Sequence, residues 1–323
     1  MSDAVEQAWI ANFWRRLGAF FLDSLILCVV GFLLGLFLED YFVKLGDWGR
    51  LVGFVIAFPY FAILNSTLGS GQTLGKRVLK IRVVNAQNTT LSLTLSGIRY
   101  AILSVPFLLN GAGFGSDQSI LSTVFLSIIS LAVFGGGLSI LYLYLFNRKT
   151  RQSLHDIVVG SYVVNVDVEK QETEAIWKVH YGVVALLCII SLVLPGVSFF
   201  AQQNQVLEDM LFLQREVLKE PLVSQASVMK GVSNFKMSDE EAKTVTYVNV
   251  RAFVTDKNIE NETLARELAS LVAKSYPEAP GLDLIRVTFT YGYNIGIWSQ
   301  WYNYYYNFNP AELSEKAVTD HLK

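Results

Sequence analysis

The sequence predicts a mainly α-helical membrane protein. A transmembrane helical bundle of about five spans occupies residues 1–200, and a soluble, extracytoplasmic α+β domain follows in residues 201–323. Hydrophobic residues make up 52% of the chain and charged residues only 17%, which is apolar for a soluble protein. The apolar residues are grouped in long blocks that end near residue 200. Residues 201–323 are by contrast acidic, with 12 basic and 16 acidic side chains.

Five apolar stretches are candidates for spans, since a transmembrane helix requires roughly 20 apolar residues. They are residues 17–38, 51–68, 93–109, 119–146 and 179–200. The third is the weakest because it contains Arg99 and Pro106. It either crosses the membrane or forms a re-entrant pair with the fourth. The fourth is long and is expected to tilt or kink at its three consecutive glycines, residues 135–137.

Basic residues near the span ends predict the orientation, because Lys and Arg are retained on the cytoplasmic side. With five crossings, the basic segments at 15–16, 76–82 and 148–151 all lie inside. The amino terminus is then cytoplasmic. Residues 201–323 lie in the periplasm of a Gram-negative cell, and the chain is placed in the inner membrane.

Short elements are predicted outside the spans from hydrophobic periodicity and turn residues. Residues 78–84 and 89–93 predict a hairpin, and residues 157–166 predict a strand that could join it in a small sheet. In the second domain, Asn261 is a plausible helix cap and residues 231–241 predict a flexible connection. The remaining predictions are helices at 204–219, 261–275 and 310–322 and strands at 244–254 and 282–293.

Asp23 is the most informative residue, because it lies inside the first span, which is otherwise free of charge. An ionisable group at this depth costs roughly 3 kcal/mol or more without a partner and is a functional-site hypothesis by default. Arg16 lies seven residues earlier, nearly on the same helix face. Arg99 is expected at a similar depth of about 10 Å in the third span, where it could meet Asp23.

Two interpretations of Asp23 remain open. A carboxylate that faces a guanidinium stays ionised, whereas an isolated one in hydrocarbon takes up a proton. Asp23 could therefore exchange a proton for a monovalent cation, as an antiporter does. Alternatively, it could form a structural salt bridge or a hydrogen-bonded knot that fixes helix packing.

His155 and Asp156 also allow two interpretations. They could form a cytoplasmic gate in which His155 titrates near neutral pH, or a loop anchor in which Asp156 caps a turn or bonds Lys76 and Arg77. Lys76 and Arg77 close a basic, glycine-bearing loop, residues 71–77, that could contact anionic lipid headgroups. This loop lacks the spacing of a nucleotide-binding phosphate loop.

Three motifs occur in a recognisable order. They are RLGAFFLD at 16–23, GQTLGKR at 71–77 followed by IRVV at 81–84, and LHDIVVG at 154–160. Together they resemble the RDD family of membrane proteins over about residues 14–166. The resemblance implies that Arg16, Asp23 and Asp156 are the arginine and two aspartates of the family's name. It also implies a transporter, linked in some members to cation/proton exchange, and nothing about residues 201–323.

The second domain contains an aromatic stretch, residues 291–308, with six tyrosines and two tryptophans. Aromatic rings offer a large contact area with one polar end, so Trp298, Trp301 and Tyr304 are candidates to bind a periplasmic protein partner. The same rings could equally line an ordinary strand. Partner binding gives the second functional hypothesis, a non-transporting membrane anchor or assembly protein.

Other function classes are not expected. His155, His180 and His321 lie far apart without a placed nucleophile, so the sequence does not predict an enzyme. Cys28 and Cys188 show no metal-ligand spacing, no cofactor is implied, and no basic–aromatic pattern suggests a nucleic-acid partner. Gly31-x-x-x-Gly35 permits close helix contact, either within the chain or across a homo-oligomer.

Overall fold

The computed structural model describes residues 8–111, 120–201, 205–235 and 243–313. The chain forms two compact units. The first comprises Met1–Leu38, Asp47–Phe200 and Asn294–Ser299. The second comprises Glu39–Gly46, Ala201–Tyr293 and Gln300–Lys323.

The first unit is built mainly from helices. Three helical stretches are long and apolar enough to cross a membrane: Phe13–Leu64, Ile120–Phe146 and Lys178–Val197. The fourth apolar helix, Leu93–Leu109, is shorter. In chain order the helices are α1 (Phe13–Leu45), α2 (Arg50–Leu64), α3 (Leu74–Val78), α4 (Leu93–Leu109), α5 (Ile120–Ser130), α6 (Gly137–Phe146), α7 (Leu154–Val159) and α8 (Lys178–Ala201).

Two of these helical stretches are irregular. Leu38 interrupts α1 with φ −124° and ψ 17°. A π-helical turn, Leu131–Gly136, joins α5 to α6, which confirms the irregularity predicted at the glycine run. Such turns bend a helix by inserting one residue into its hydrogen-bond ladder. The bend lies beside α4, which contacts this turn.

The small sheet of the first unit pairs β1 (Ile81–Asn85) with β2 (Ser161–Asn165) in antiparallel register. The predicted joining of the two segments in one sheet is confirmed, but the hairpin of 78–84 with 89–93 is wrong. Residues 74–78 form α3 instead, because the Thr73 side chain caps that helix. After β1 the chain turns, with Asn85 N–H donating to Thr89 O at 2.8 Å, but Leu91 then forms a parallel bridge with Ser66 and not with β1. Tertiary pairing therefore overrides local β propensity.

The second unit is α+β, as predicted. Its four-stranded sheet has the order β3-β4-β5-β6. Strands β4 and β5 are parallel and are connected through α10, whereas β3 is antiparallel to β4. Val250, Val287 and Leu268 are among the fully buried residues of this unit. The elements are α9 (Gln205–Val217), β3 (Val223–Phe235), β4 (Lys243–Val254), α10 (Glu262–Ser275), β5 (Leu284–Asn294) and β6 (Ser299–Phe308).

Some predictions for this unit need correction. Of the flexible connection predicted at 231–241, residues 231–235 belong to strand β3, and residues 236–241 lie outside the described residues. Strands β3 and β6 were not predicted, because as outer strands they carry mixed or exposed side chains that lack a clear apolar alternation. Asn261 does cap α10, accepting a hydrogen bond from Leu264 N–H at 3.0 Å. The predicted closing helix, 310–322, lies largely outside the described residues.

Candidate functional site

Asp156 is the centre of a buried ion cluster that ties three helices together. Its side chain is fully buried. Oδ2 accepts a hydrogen bond from Arg16 Nη2 of α1 at 2.8 Å. Oδ1 accepts from Arg99 of α4, from Nη2 at 2.7 Å and from Nε at 2.9 Å. A single carboxylate on α7 therefore joins α1 and α4.

Local backbone structure fixes the position of Asp156. Ser153 and Asp156 form a capping box at the start of α7, in which Ser153 N–H donates to Asp156 Oδ2 at 3.3 Å. Arg151, just before this cap, has a left-handed backbone with φ 52°, which is uncommon for a residue other than glycine. Its carbonyl accepts a hydrogen bond from Arg16 Nη1. The Arg16 guanidinium therefore binds both the loop before α7, at Arg151, and α7 itself, at Asp156.

The charges in this cluster are strongly coupled. Burial by itself would raise the pKa of Asp156, but Arg99, His155 and Arg16 together hold it below its ordinary value. His155 Nε2 lies 3.5 Å from Asp156 Oδ2. Burial lowers the pKa of His155 to about 3, despite the opposing attraction of Asp156. His155 is therefore neutral near pH 7, which corrects the expectation of a gate that titrates there.

Asp23 forms a second, separate cluster. It is fully buried on α1. Oδ1 accepts hydrogen bonds from the Tyr60 hydroxyl at 2.7 Å and from Gly75 N–H at 2.8 Å. Oδ2 accepts from the Thr73 hydroxyl at 2.5 Å. All three donors are electrically neutral groups.

The loop motif of residues 71–77 explains how Asp23 is enclosed. Thr73 accepts a hydrogen bond from Lys76 N–H at 3.4 Å and so starts α3, while its hydroxyl donates to Asp23. A Cβ on Gly75 would lie 2.2 Å from Ala19 O. Only glycine therefore lets the backbone of α3 approach α1 closely enough for Gly75 N–H to reach Asp23.

The expected meeting of Asp23 with Arg99 or Arg16 does not occur. Both arginines bind Asp156 instead. The reason is that α4 packs against α7, so that Arg99 reaches Asp156, whereas Tyr60 and the start of α3 enclose Asp23. Asp156 does cap a turn, as one interpretation expected, but its ion-pair partners are not Lys76 and Arg77.

Lys76 and Arg77 lie in different environments. Arg77 is exposed, as a lipid-contacting residue would be. Lys76 is partly buried, and its Nζ lies 3.3 Å from Thr73 Oγ1. Although part of its side chain is accessible, desolvation of the ammonium group, helped by repulsion from Arg99, lowers the pKa of Lys76 to about 7. Asp23 and Asp156 both oppose this lowering by attraction, because Lys76 lies near both carboxylate clusters.

A cavity of about 550 Å³ lies beside the Asp156 cluster in the first unit. Most of its lining is apolar. Its basic lining residues are Arg16, Lys76, Arg99 and His155. Asp23 and Asp156 are not among the lining residues, so the accessible charge in the cavity is positive.

The aromatic stretch divides between the two units. Trp298 belongs to the first unit, where its ring packs edge-on against Phe32 at 5.3 Å. A Cβ added at Gly31 would lie 2.7 Å from the Trp298 Cβ. Gly31 therefore allows close packing within the chain. Trp301 and Tyr304 lie on strand β6 of the second unit and are 43% and 38% exposed.

Several residues of the two clusters were not predicted. Thr73 and Gly75 belong to the motif at 71–77, but its basic residues and glycines suggested contact with lipid headgroups and not hydrogen bonds to Asp23. Tyr60 and Ser161, whose hydroxyl donates to Asp156 Oδ1 at 2.9 Å, carry no sequence signal. Within the described ranges, no group of three or more His, Cys, Asp or Glu side chains could hold a metal ion.

Comparison with known proteins confirms the resemblance seen in the sequence. Residues 10–160 match the sequence model of the RDD family. The chain is also 24% identical over 165 residues to the uncharacterized protein YckC of Bacillus subtilis (strain 168), an alignment that covers 51% of this chain and 91% of that protein. No solved structure matches the chain. The matched region contains Asp23, Asp156 and all the basic residues of the cavity.

Proposed function

From the match of residues 10–160 to the RDD family and the surroundings of Asp23, we propose that this chain is a membrane transporter that exchanges a monovalent cation for a proton at Asp23, and not an enzyme. The observation that carries this proposal is the difference between the two buried carboxylates. Asp156 is paired with two guanidinium groups, whereas the donors to Asp23 among the described residues are all neutral.

This difference separates a structural carboxylate from an exchangeable one. Protonation of Asp156 would leave Arg16 and Arg99 buried without a counter-ion, which is costly. Asp23 forms no ion pair with the residues that the structure describes, so its protonation breaks none there. Titratable groups whose environments differ in this way commonly have different roles in one site. Asp23 is therefore the group suited to load and release a proton.

The same cluster offers oxygen ligands to a cation. Tyr60 Oη lies 2.7 Å from Asp23 Oδ1, and Thr73 Oγ1 lies 2.5 Å from Asp23 Oδ2. Hard cations are bound by carboxylate and other oxygen atoms. Both the cation and the proton would use the Asp23 carboxylate, so binding of one excludes the other. That competition is the coupling required for exchange.

The test is ion flux through purified protein in proteoliposomes with a pH-sensitive dye inside. We expect Asp23→Asn to abolish proton movement driven by a Na⁺ or K⁺ gradient. The matched control is Asp167→Asn, which removes an exposed carboxylate and should leave flux unchanged. Wild-type flux in a properly inserted Asp23→Asn protein would refute the proposal. Thermal unfolding of each variant shows whether a loss of flux reflects a loss of fold.

The proposed membrane arrangement has five crossings in an inner membrane, with the amino terminus in the cytoplasm and residues 201–323 in the periplasm. It is supported by the charge distribution along the sequence. Single cysteines at Gln87 and Lys274, both exposed positions, in a chain with Cys28 and Cys188 replaced, test it. An impermeant thiol reagent on intact cells should label Lys274→Cys and not Gln87→Cys. The reverse pattern would refute this arrangement.

A second candidate function is partner binding by the second unit. It is favoured by the position of β6 at the end of the strand order and by its exposed rings, including Trp301, Tyr302 and Tyr305. An outer strand offers both unpaired backbone groups and side chains to a partner.

Site-specific photo-crosslinking in intact cells tests this second candidate. A crosslinker at Tyr305 should give a discrete adduct that Trp301→Ser weakens. A crosslinker at Val232, exposed on the opposite outer strand β3, should give none. Equal labelling from both positions, or from neither, would count against a binding surface on β6.

A further inference from the structure

The cavity of the first unit has a chemistry that the proposed exchange at Asp23 does not use. Its volume of about 550 Å³ falls within the range of roughly 300–1,000 Å³ that is usual for ligand sites. Most of the wall is apolar, and Arg16, Lys76, Arg99 and His155 line it as well. These basic residues lie close together, because both arginines and His155 surround Asp156.

The charge of this basic group is not balanced within the cavity. Asp156 is one carboxylate facing two guanidinium groups, and Lys76 adds a third basic side chain. Among the described lining residues there is no Asp or Glu. Buried positive charge in excess is unfavourable unless an anion accompanies it. A bound anion would therefore stabilise the cluster.

One buried polar atom beside the cavity also lacks a partner. The side chain of His155 is only 6% exposed, and its Nδ1 atom has no hydrogen-bond partner among the described residues. Arg99, which lines the cavity, binds Asp156 and Ser161 through Nε and Nη2. Unsatisfied buried polar atoms are rare in proteins and point to a missing partner.

The opening of the cavity suits hydrocarbon rather than water. Several large apolar residues that line it are themselves exposed on the surface of the helices: Phe20, Phe107, Phe134, Leu138 and Leu141. They belong to α1, α4, the π-helical turn and α6, which are among the apolar helices. An apolar chain can therefore extend from the basic group to a surface that faces lipid.

We infer that this cavity binds an acidic phospholipid. The phosphate would lie beside Lys76, Arg99 and His155 Nδ1, and one acyl chain would lie along the apolar wall. Phosphate is the favoured partner because guanidinium and ammonium groups bind it with charge-assisted hydrogen bonds, and because a diester carries both the charge and the chain that the cavity requires. This site is distinct from the Asp23 cluster and does not depend on ion exchange.

Native mass spectrometry of the full chain, released from nanodiscs of equal phosphatidylglycerol and phosphatidylcholine, tests the inference. We expect the wild type to retain one phosphatidylglycerol in preference to phosphatidylcholine. Lys76→Gln should weaken this retention about tenfold, the loss expected for one charge-assisted hydrogen bond. Arg77→Gln removes the same charge at an exposed neighbour and should have no effect.

A second pair of variants tests the cavity itself. Leu138→Trp should fill it and abolish retention, whereas Leu126→Trp, at a similarly exposed position outside the lining, should not. Equal retention of both lipids by the wild type would overturn the inference. So would loss of retention in Arg77→Gln but not in Lys76→Gln, because that result places the lipid on the surface loop.

Competing anions distinguish the sources of the ligand. If inorganic phosphate alone displaces the retained lipid at equal concentration, the apolar wall contributes nothing and the lipid assignment is overturned. If oleate is retained in place of phosphatidylglycerol, the headgroup assignment is overturned. None of these readouts uses ion flux, so their failure is independent of the exchange proposed at Asp23.

Discussion

Arg99 on α4 donates two hydrogen bonds to a single oxygen of Asp156 on α7, from Nη2 at 2.7 Å and from Nε at 2.9 Å. The two residues lie 57 positions apart in the sequence. Arg16 occupies the other oxygen. Three distant segments are therefore held at one buried carboxylate, and the integrity of the first unit should depend on its charge.

Asp156→Asn should destabilise the first unit strongly. The substitution leaves two buried guanidinium groups without a counter-ion, a change that typically costs about 3–5 kcal/mol. Thermal unfolding of the detergent-solubilised protein should show a large fall in Tm. Asp167→Asn removes a carboxylate that is 71% exposed and should leave Tm nearly unchanged. Equal Tm values for the two variants would contradict the role given to Asp156.

Gly75→Ala should separate α3 from α1. A Cβ at this position would lie 2.2 Å from Ala19 O and 3.0 Å from Asp23 Oδ1, so the backbone must move and the Gly75–Asp23 hydrogen bond must lengthen. We expect a fall in Tm and faster amide exchange at Gly75. Gly182→Ala, within α8 and with nothing near its Cβ position, should be neutral or slightly stabilising. A neutral Gly75→Ala would show that this contact is not needed.

His155 should make stability depend on pH in the acid range. Its pKa of about 3 in the folded protein lies below the ordinary value of 6.5, mainly because of burial. Between these values the unfolded chain binds a proton that the folded one does not, so the free energy of unfolding falls as pH falls from 6.5 to 3. Near pH 3 the free energy of unfolding has fallen by about 5 kcal/mol, because each pH unit in this range costs roughly 1.4 kcal/mol.

The measurement compares wild type with His155→Gln in a series of unfolding curves. The variant should be less sensitive to pH between 3 and 6.5 than the wild type, because the titrating group is gone. Two parallel curves over this window would show that His155 is not held neutral by its surroundings.

Asn261→Ala should loosen the start of α10 in the second unit. The Asn261 side chain accepts a hydrogen bond from Leu264 N–H, and loss of such a cap typically costs about 1 kcal/mol. Hydrogen exchange should accelerate about fivefold in the first turn of α10. The control is Asn258→Ala, an exposed asparagine whose backbone N–H, not its side chain, bonds Asp256. Equal exchange in both variants would argue against the cap.

Helical elements followed from the sequence with small errors in their ends. The span predicted at 17–38 corresponds to α1, and the stretch predicted at 93–109 matches α4. Long apolar blocks and the cap at Asn261 are local signals, so they can be recognised without knowledge of the rest of the chain. The fold class of the second unit followed in the same way from the alternation of β4, α10 and β5.

Strand pairing was predicted wrongly where the partner strand lies far away in the sequence. The segment 78–84 was assigned to a hairpin, yet β1 pairs with β2 about eighty residues later. Strand β6 was not predicted as a strand because its rings are exposed, and it is ordered by its place beside β5. Sequence periodicity reports which face is buried, not which strand lies beside it.

The sequence by itself determined that Asp23 and Asp156 are exceptional and that Arg16, Arg99 and the loop at 71–77 accompany them. Only the tertiary structure decided the partners: both arginines bind Asp156, while Tyr60, Thr73 and Gly75 bind Asp23. The physical reason is that a hydrogen bond requires contact within about 3 Å. Helix periodicity sets the face and depth of a side chain, whereas the packing of α4 on α7 and of α3 on α1 sets which atoms meet.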